Sequence, residues 1–424
     1  MTDNLDPLNS TVLAPGPMPK LDRIYLRMLI TVTIGLVALS VGRLLPPRLV
    51  GGGDLAVYRA AAFAVLHGQD PYLKSVIARS MTATHAPADF IGQGALFAYP
   101  LWVALIFLWS TLLPLNAAYL IWALISIGLV AYGLACLADW AGWTTRLGLV
   151  ALGTFTFAAF IDYSVGNVDP LLLVAVAWAI VWATRGRWLL AGLAAMMAAM
   201  LKPQVAWPIV PFLLVVAWPQ RESVWRALAG QLVGLGVLAG LPSLVRPDWV
   251  AEWVGGLVTF SKTIPQIQPD PAQLAGALRI LPSLRNMPLG FGNPLTWGLV
   301  GVALLGMAVW ARWLSLPSGG GQLRSRDRIG WGLGLPLLIW ALASPYIHTD
   351  DLVALAPVFV LLLSPDWWGA TGRRCWLLCL ALAILPDSYR LIAGRFGGPW
   401  VLTSLATLWL GCAAGYAIWS RVRI

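Results

Sequence analysis

Charged residues are scarce in this sequence. Asp, Glu, Lys and Arg together make up 11% of its 424 residues, whereas hydrophobic residues make up 59%. Soluble domains carry about 25% charged residues, so the scarcity excludes a series of soluble globular domains. The composition instead predicts an all-α, polytopic membrane protein.

Cysteine and histidine are rare as well, with four and three residues. The cysteines lie in apolar stretches, which favours packing roles over a disulfide framework or a metal-ligand spacing. No cofactor and no metal site is therefore predicted from them. These cysteines are Cys136, Cys375, Cys379 and Cys412.

Basic residues outnumber acidic ones, 28 to 18, which gives a formal net charge of +10. They cluster at the ends of apolar segments, as the positive-inside rule describes for cytoplasmic loops, so they do not indicate a nucleic-acid partner. The clusters are Arg185/Arg187, Arg221/Arg226, Arg324/Arg326/Arg328, Arg373/Arg374 and Arg421/Arg423. Residues 1–22 are predicted to form a disordered cytoplasmic tail and residues 23–424 a single multi-span domain.

A membrane span needs about 20 apolar residues, and about thirteen segments approach that length. They are approximately 24–44, 99–115, 117–138, 147–161, 168–183, 188–201, 204–218, 227–245, 293–313, 329–343, 352–364, 375–390 and 399–420. Basic residues place both termini inside, so the number of crossings must be even. We predict about twelve spans, outer loops at 45–97 and 246–292, and one re-entrant or split segment between 98 and 161.

Four polar interruptions of the apolar sequence fall on the outer face in this topology. Ionisable groups at membrane depth are energetically costly and are functional candidates by default. Their convergence on one face predicts a shared site. The interruptions are Asp54, the loop 162–169, Lys202-Pro203 and the turn 346–351.

Asp54 is the leading candidate for chemistry. It follows three glycines after the first apolar segment and opens an apolar run predicted to be an amphipathic interfacial helix in the first outer loop. Asp is a favoured N-cap residue, and a helix N-terminus also fixes the position of a carboxylate. The capping and catalytic interpretations are therefore compatible.

Lys202 and His348 are the candidates for contact with an anion or a metal. A lysine at a helix end can simply snorkel to the membrane surface, but a lone outer cation also suits an anionic headgroup such as a lipid phosphate. His348 precedes Asp350 and Asp351. A structural histidine and an oxygen-rich metal site both remain open, although no strong spacing signature supports a metal.

Together these segments resemble glycosyltransferase family 87, whose members are polyprenol-phosphate-mannose-dependent mannosyltransferases of the GT-C superfamily. The resemblance runs from about residue 24 to residue 365, in motif order. It rests on Asp54 with Tyr58, Gly68-Gln69-Asp70-Pro71-Tyr72, Tyr99-Pro100, Gly166-Asn167, Lys202-Pro203 and His348-Thr349-Asp350-Asp351-Leu352.

The resemblance implies a GT-C-like domain that moves a hexose, such as mannose, from a polyprenyl-phosphate donor to a lipid or glycan acceptor. It implies that Asp54 is the catalytic base of an inverting displacement at the outer face of the plasma membrane and that His348 helps to hold the donor phosphate. The remaining expected substrate contacts are Tyr58, Arg59, Asn167, Asp169, Lys202, Asp350 and Asp351.

A transporter or flippase of a lipid-linked sugar is the alternative. Transporters tend to carry broken helices at corresponding positions of two repeated halves. The interruptions at 162–169, 202–203 and 345–351 show no such halves. The sequence therefore favours the enzyme.

Overall fold

The computed structural model describes residues 53–87, 96–141, 159, 162–163, 165–267, 294–315, 325–344 and 350–363. Within these ranges every regular element is a helix and no strand occurs, in agreement with the all-α prediction. The predicted tail 1–22, the predicted spans 24–44, 375–390 and 399–420, and His348 lie outside the described residues.

Two groups of helices make up the described part of the chain. The first group is α1 (Gly53–Leu66), α2 (Lys74–Ala83), α3 (Leu101–Ile106), a 3-10 turn (Leu108–Leu112) and α4 (Leu115–Trp140). The second group is α5 (Asp169–Thr184), α6 (Trp188–Leu201), α7 (Pro203–Ala206), α8 (Ile209–Ala217), α9 (Arg221–Val245), α10 (Trp249–Ile267), α11 (Pro294–Ser315), α12 (Ser325–Ala343), a second 3-10 turn (Asp350–Leu355) and α13 (Ala356–Leu363).

Three of the described helices are long and apolar enough to cross a membrane by length and composition. They are Leu115–Trp140, Arg221–Val245 and Thr296–Ser315. Most of the large apolar side chains that the fold leaves exposed lie on these three helices, among them Leu124, Leu232 and Leu305. Such a surface suits contact with lipid and not with water. The count of about twelve spans stays a prediction.

The segment 99–115 is not a continuous span. Its helix α3 has only six residues and is followed by the 3-10 turn, after which Pro114 precedes α4. Six residues rise only about 9 Å, far less than the ~30 Å hydrocarbon core. A break therefore occurs in the first of the three candidate segments between residues 98 and 161, and the third, 147–161, lies almost wholly outside the described residues.

Helices α6 and α9 approach each other at two glycines. A Cβ atom built on Gly192 would lie 2.1 Å from the carbonyl oxygen of Ala227, and one on Gly230 would lie 2.0 Å from that of Leu189. Small residues permit such close contact between backbones in membrane helices. This crossing holds the two helices side by side.

Neighbouring helices α5 and α6 run antiparallel, which places Asp169 and Lys202 at one end of the pair and Arg185 and Arg187 at the other. Helix α5 begins at Asp169 and ends just before Arg185, whereas α6 begins just after Arg187 and ends just before Lys202. Asp169 and Lys202 are accordingly in contact at one end of the pair. Arg185 and Arg187 lie at the opposite end, so the candidate site and this basic loop are at opposite ends of α5 and α6.

Candidate active site

Side chains from separate segments of the chain meet at the end of α5 and α6 that is opposite Arg185 and Arg187. Residues as far apart as 109 and 149 positions along the chain are in direct contact there. The structure thus brings together five of the sequence-predicted site residues. These are Tyr58, Asn167, Asp169, Lys202 and Asp351, and Asp54 lies on the first turn of α1, which also carries Tyr58.

Lys202 forms a buried ionic cluster with two carboxylates. Its Nζ atom lies 2.8 Å from Oδ2 of Asp169 and 2.7 Å from Oδ1 of Asp351, and the three side chains are only 2%, 0% and 1% exposed. Charges are buried in proteins only when they are paired, because desolvation costs several kcal/mol per ion. One ammonium is therefore in contact with two carboxylates, and all three groups are buried.

The local sequence explains why Lys202 is available for this cluster. Proline disfavours a helical conformation in the residue before it, and Lys202 accordingly leaves the helix with φ −138° and ψ 81°. Helix α6 ends at Leu201, and Pro203 opens the short helix α7. The lysine therefore sits in a break between two apolar helices, next to the first turn of α5.

Asn167 joins four parts of the fold. Its side-chain oxygen Oδ1 accepts hydrogen bonds from the Tyr58 hydroxyl at 2.9 Å, from the Tyr99 hydroxyl at 3.4 Å and from the backbone N–H of Val168 at 2.7 Å. Its backbone carbonyl accepts one from the indole N–H of Trp122 at 3.0 Å. The preceding Gly166 has a φ of 73°, a turn conformation that glycine adopts without strain.

Asp54 is half-buried and lies inside the first turn of α1, because the helix already begins at Gly53. A carboxylate in that position interacts favourably with the helix dipole. Asp54 precedes Tyr58 by one helical turn, which places the two on the same face. The pKa of Tyr58 is raised well above its usual value by burial first, then by Tyr99, with a further contribution from the negative charge of Asp54.

Arg59 has a different environment from the one expected of a substrate contact. Its side chain is buried. Its Nη1 atom donates a hydrogen bond to the backbone carbonyl of Thr84 at 3.3 Å, and its Nη2 atom donates one to the backbone carbonyl of Leu113 at 2.5 Å. These bonds tie α1 to the end of α2 and to the loop before α4. The described contacts of Arg59 are therefore those of a residue that holds α1 in place against its neighbours.

Tyr99 and Trp122 also lie in the candidate site, although neither was among the site residues predicted from the sequence. The Tyr99 ring lies edge-on to Tyr58 with 5.0 Å between centroids, and Nζ of Lys202 lies 5.9 Å from the Tyr99 centroid. Tyr99-Pro100 was part of the family resemblance, and this was the only signal for Tyr99. Trp122 lies in the apolar helix α4, where nothing in its surroundings indicates a polar contact.

The contacts of two predicted site residues, His348 and Asp350, are not described by the structure. His348 lies outside the described residues, and Asp350 is described only as the first residue of the second 3-10 turn. Within the described part of the chain, no three His, Cys, Asp or Glu side chains are grouped as ligands for a metal ion.

Comparison with models of protein families identifies the family of the chain. The family model described as Glycosyltransferase family 87 matches residues 97–345, which is more than half of the chain. The matched range includes Tyr99, Asn167, Asp169 and Lys202; it begins after Asp54 and ends before Asp351. None of the curated proteins compared with the chain matches it.

Proposed function

The chain belongs to glycosyltransferase family 87 and is a membrane glycosyltransferase, and on this premise we propose that its donor is a polyprenyl-phosphate sugar. The sugar is a hexose such as mannose, and the acceptor is a lipid or glycan. The observation that carries the proposal is the position of Asp54 one helical turn before Tyr58, whose hydroxyl donates to Asn167, two residues before Asp169 of the buried Lys202–Asp169–Asp351 cluster.

The reaction takes place at the outer face of the plasma membrane in this proposal. The end of α5 and α6 that carries the candidate site is opposite the end that carries Arg185 and Arg187. Because basic residues collect on the cytoplasmic side of membrane proteins, the site end corresponds to the outer side. A polyprenyl-phosphate donor suits that location, since its lipid tail keeps the sugar at the membrane surface.

Asp54 acts as the general base of a single displacement. It accepts the proton of the acceptor hydroxyl while the acceptor oxygen forms a bond to the anomeric carbon. The bond from that carbon to the phosphate oxygen breaks, and polyprenyl phosphate leaves with the electron pair. One attacking oxygen on the face opposite the leaving group inverts the anomeric centre, as in inverting glycosidases. The half-buried position of Asp54 leaves its carboxylate within reach of a substrate.

Lys202, Asp169 and Asp351 act as positioning residues. The Lys202 ammonium contacts two carboxylates, and all three side chains are almost completely buried. In that position the lysine holds the ends of α5 and α6 against the second 3-10 turn. It is less suited to binding a phosphate, because its ammonium is already in contact with two carboxylates. The donor phosphate is then left to His348, as the family resemblance implies, while Asn167 and Tyr58 hold α1 beside the cluster.

The donor class can be tested with the purified protein in lipid nanodiscs. We expect labelled mannose to pass from a polyprenyl-phosphate donor to an extracted lipid or glycan acceptor, and not from a nucleotide-linked mannose donor. Transfer from the nucleotide donor alone would rule out the proposed donor. Movement of the intact lipid-linked sugar across a proteoliposome membrane, without transfer, would instead support a flippase.

A further inference from the structure

Helix α10 starts alongside the last two turns of α9. The side chain of Trp249, in the first turn of α10, is fully buried. Its indole N–H donates to the carbonyl of Ala239 and to the hydroxyl of Ser243, both at 3.1 Å and both on α9. The beginning of α10 therefore lies at the same level along the bundle as the end of α9.

The end of α9 exposes large apolar side chains at this level. Leu241, Leu244 and Val245 are 58%, 82% and 56% exposed. Each square ångström of apolar surface left in water costs roughly 25 cal/mol. Because α9 is long and apolar enough to span a membrane, its exposed last turn indicates that lipid reaches the level of Leu244 and hence of the first turn of α10.

The two faces of α10 differ. Trp249, Trp253 and Gly256 lie on the inner face, where the indole N–H of Trp253 donates to the carbonyl of Ala98 at 3.0 Å. At Gly256 a Cβ atom would lie only 3.2 Å from Cβ of Tyr72. The outer face carries Val250, Val254 and Val258 at helical spacing, 43%, 51% and 51% exposed. We call these three residues the valine stripe.

The acidic residue in this part of α10 is directed away from the valine stripe. Glu252 binds the guanidinium of Arg246, and its hydrogen bond is the largest cause of the raised pKa of Arg246. Arg246 also donates to the carbonyl of Gly68 at 3.5 Å, in the first outer segment. The valine stripe thus has no charge of its own and lies directly beyond the lipid-facing end of α9.

We propose that α10 is an interfacial helix that lies along the membrane surface, with the valine stripe in contact with lipid. Its inner face holds the chain at Tyr72 and at Ala98, which is the residue before Tyr99 of the candidate site. Contact with lipid thereby holds the backbone next to Tyr99 in place. This inference is independent of which sugar donor the enzyme uses.

The proposal can be tested by fluorescence in nanodiscs. We expect an environment-sensitive dye on Val254→Cys to emit at shorter wavelength than the same dye on the matched control Thr259→Cys, an exposed position farther round the same helix. We also expect a lipid carrying a nitroxide near the top of its acyl chain to quench the Val254 dye at least about twice as strongly. The parent chain with its four native cysteines, labelled in parallel, gives the background.

Three outcomes would overturn the proposal. If water-soluble iodide quenches both dyes equally, the valine stripe faces water. If the Val254 dye is protected from iodide but insensitive to the lipid nitroxide, another protein covers the stripe. If the Val254 dye loses its protection from iodide when each nanodisc holds a single protein molecule, the covering protein is a second copy of this chain.

Discussion

Replacing Asp54 with asparagine is expected to reduce the rate of sugar transfer by at least about a hundredfold, because a general base contributes typically 10²–10⁴-fold. Asparagine keeps the size of the side chain and remains compatible with the first turn of α1. Its amide is not basic enough to take the proton from the hydroxyl group of the acceptor substrate. The measurement is the initial rate at saturating donor and acceptor, with the melting temperature of each variant recorded beside it.

Asp70→Asn is the matched control for this variant. Asp70 follows α1 in the chain, and its Oδ1 accepts a hydrogen bond from the backbone N–H of Tyr72 at 2.8 Å. Asparagine can accept the same bond, so we expect transfer near the wild-type rate. A rate for Asp54→Asn within about tenfold of wild type would show that Asp54 is not the base.

Replacing Lys202 with methionine is expected to lower the free energy of unfolding by about 3–5 kcal/mol. The change removes the ammonium that lies against two carboxylates, which are 0% and 1% exposed. Two carboxylates would then remain in the interior without the ammonium that contacts them both. The loss is measured as a lower melting temperature and a lower yield of monodisperse protein in detergent.

The matched control replaces all three charged groups with neutral ones of similar size, Lys202→Met with Asp169→Asn and Asp351→Asn. Neutral replacements of buried ion pairs are often tolerated, so most of the lost stability should return. If Lys202→Met melts at the wild-type temperature, the lysine is not held by the two carboxylates. If the triple variant folds but transfers no sugar, the charges are needed for positioning as well as for stability.

The proximity of Asp169 and Lys202 could be predicted from the sequence because polar residues stand out in an apolar chain. Asp169 and Lys202 each interrupt apolar sequence at a predicted segment end, and charge bias assigns those ends to one side. The structure brings both residues into contact. The assignment to one side needs only the order of the segments and the positions of the arginines.

The partners of each charged group could not be predicted in this way. The sequence presents Lys202 as a lone cation and Arg59 as a possible ligand for an anion, because nothing in it reports distances between remote residues. Lys202 instead contacts Asp351, 149 positions away, and Arg59 donates to two backbone carbonyls. Tertiary packing decides these contacts, and packing depends on which faces of the helices meet.

The break in the segment 99–115 illustrates a second limit. Hydrophobicity alone makes this stretch resemble a span, whereas Pro100 and Pro114 bound a short helix and a 3-10 turn. Proline favours such boundaries, but it also occurs inside membrane helices, as Pro242 does inside α9. The positions of the basic residues along the chain predicted that one candidate span is broken, but they did not indicate which one.

The most direct test of the proposed active site is a cryo-EM structure of the protein in nanodiscs with a non-hydrolysable polyprenyl-phosphonate sugar and an acceptor. We expect the attacking hydroxyl of the acceptor within about 3 Å of the Asp54 carboxylate, with the sugar next to Tyr99 and Asn167. Donor and acceptor bound at the opposite end of the helices, near Arg185 and Arg187, would contradict both the assignment of Asp54 as base and the outer location of the reaction.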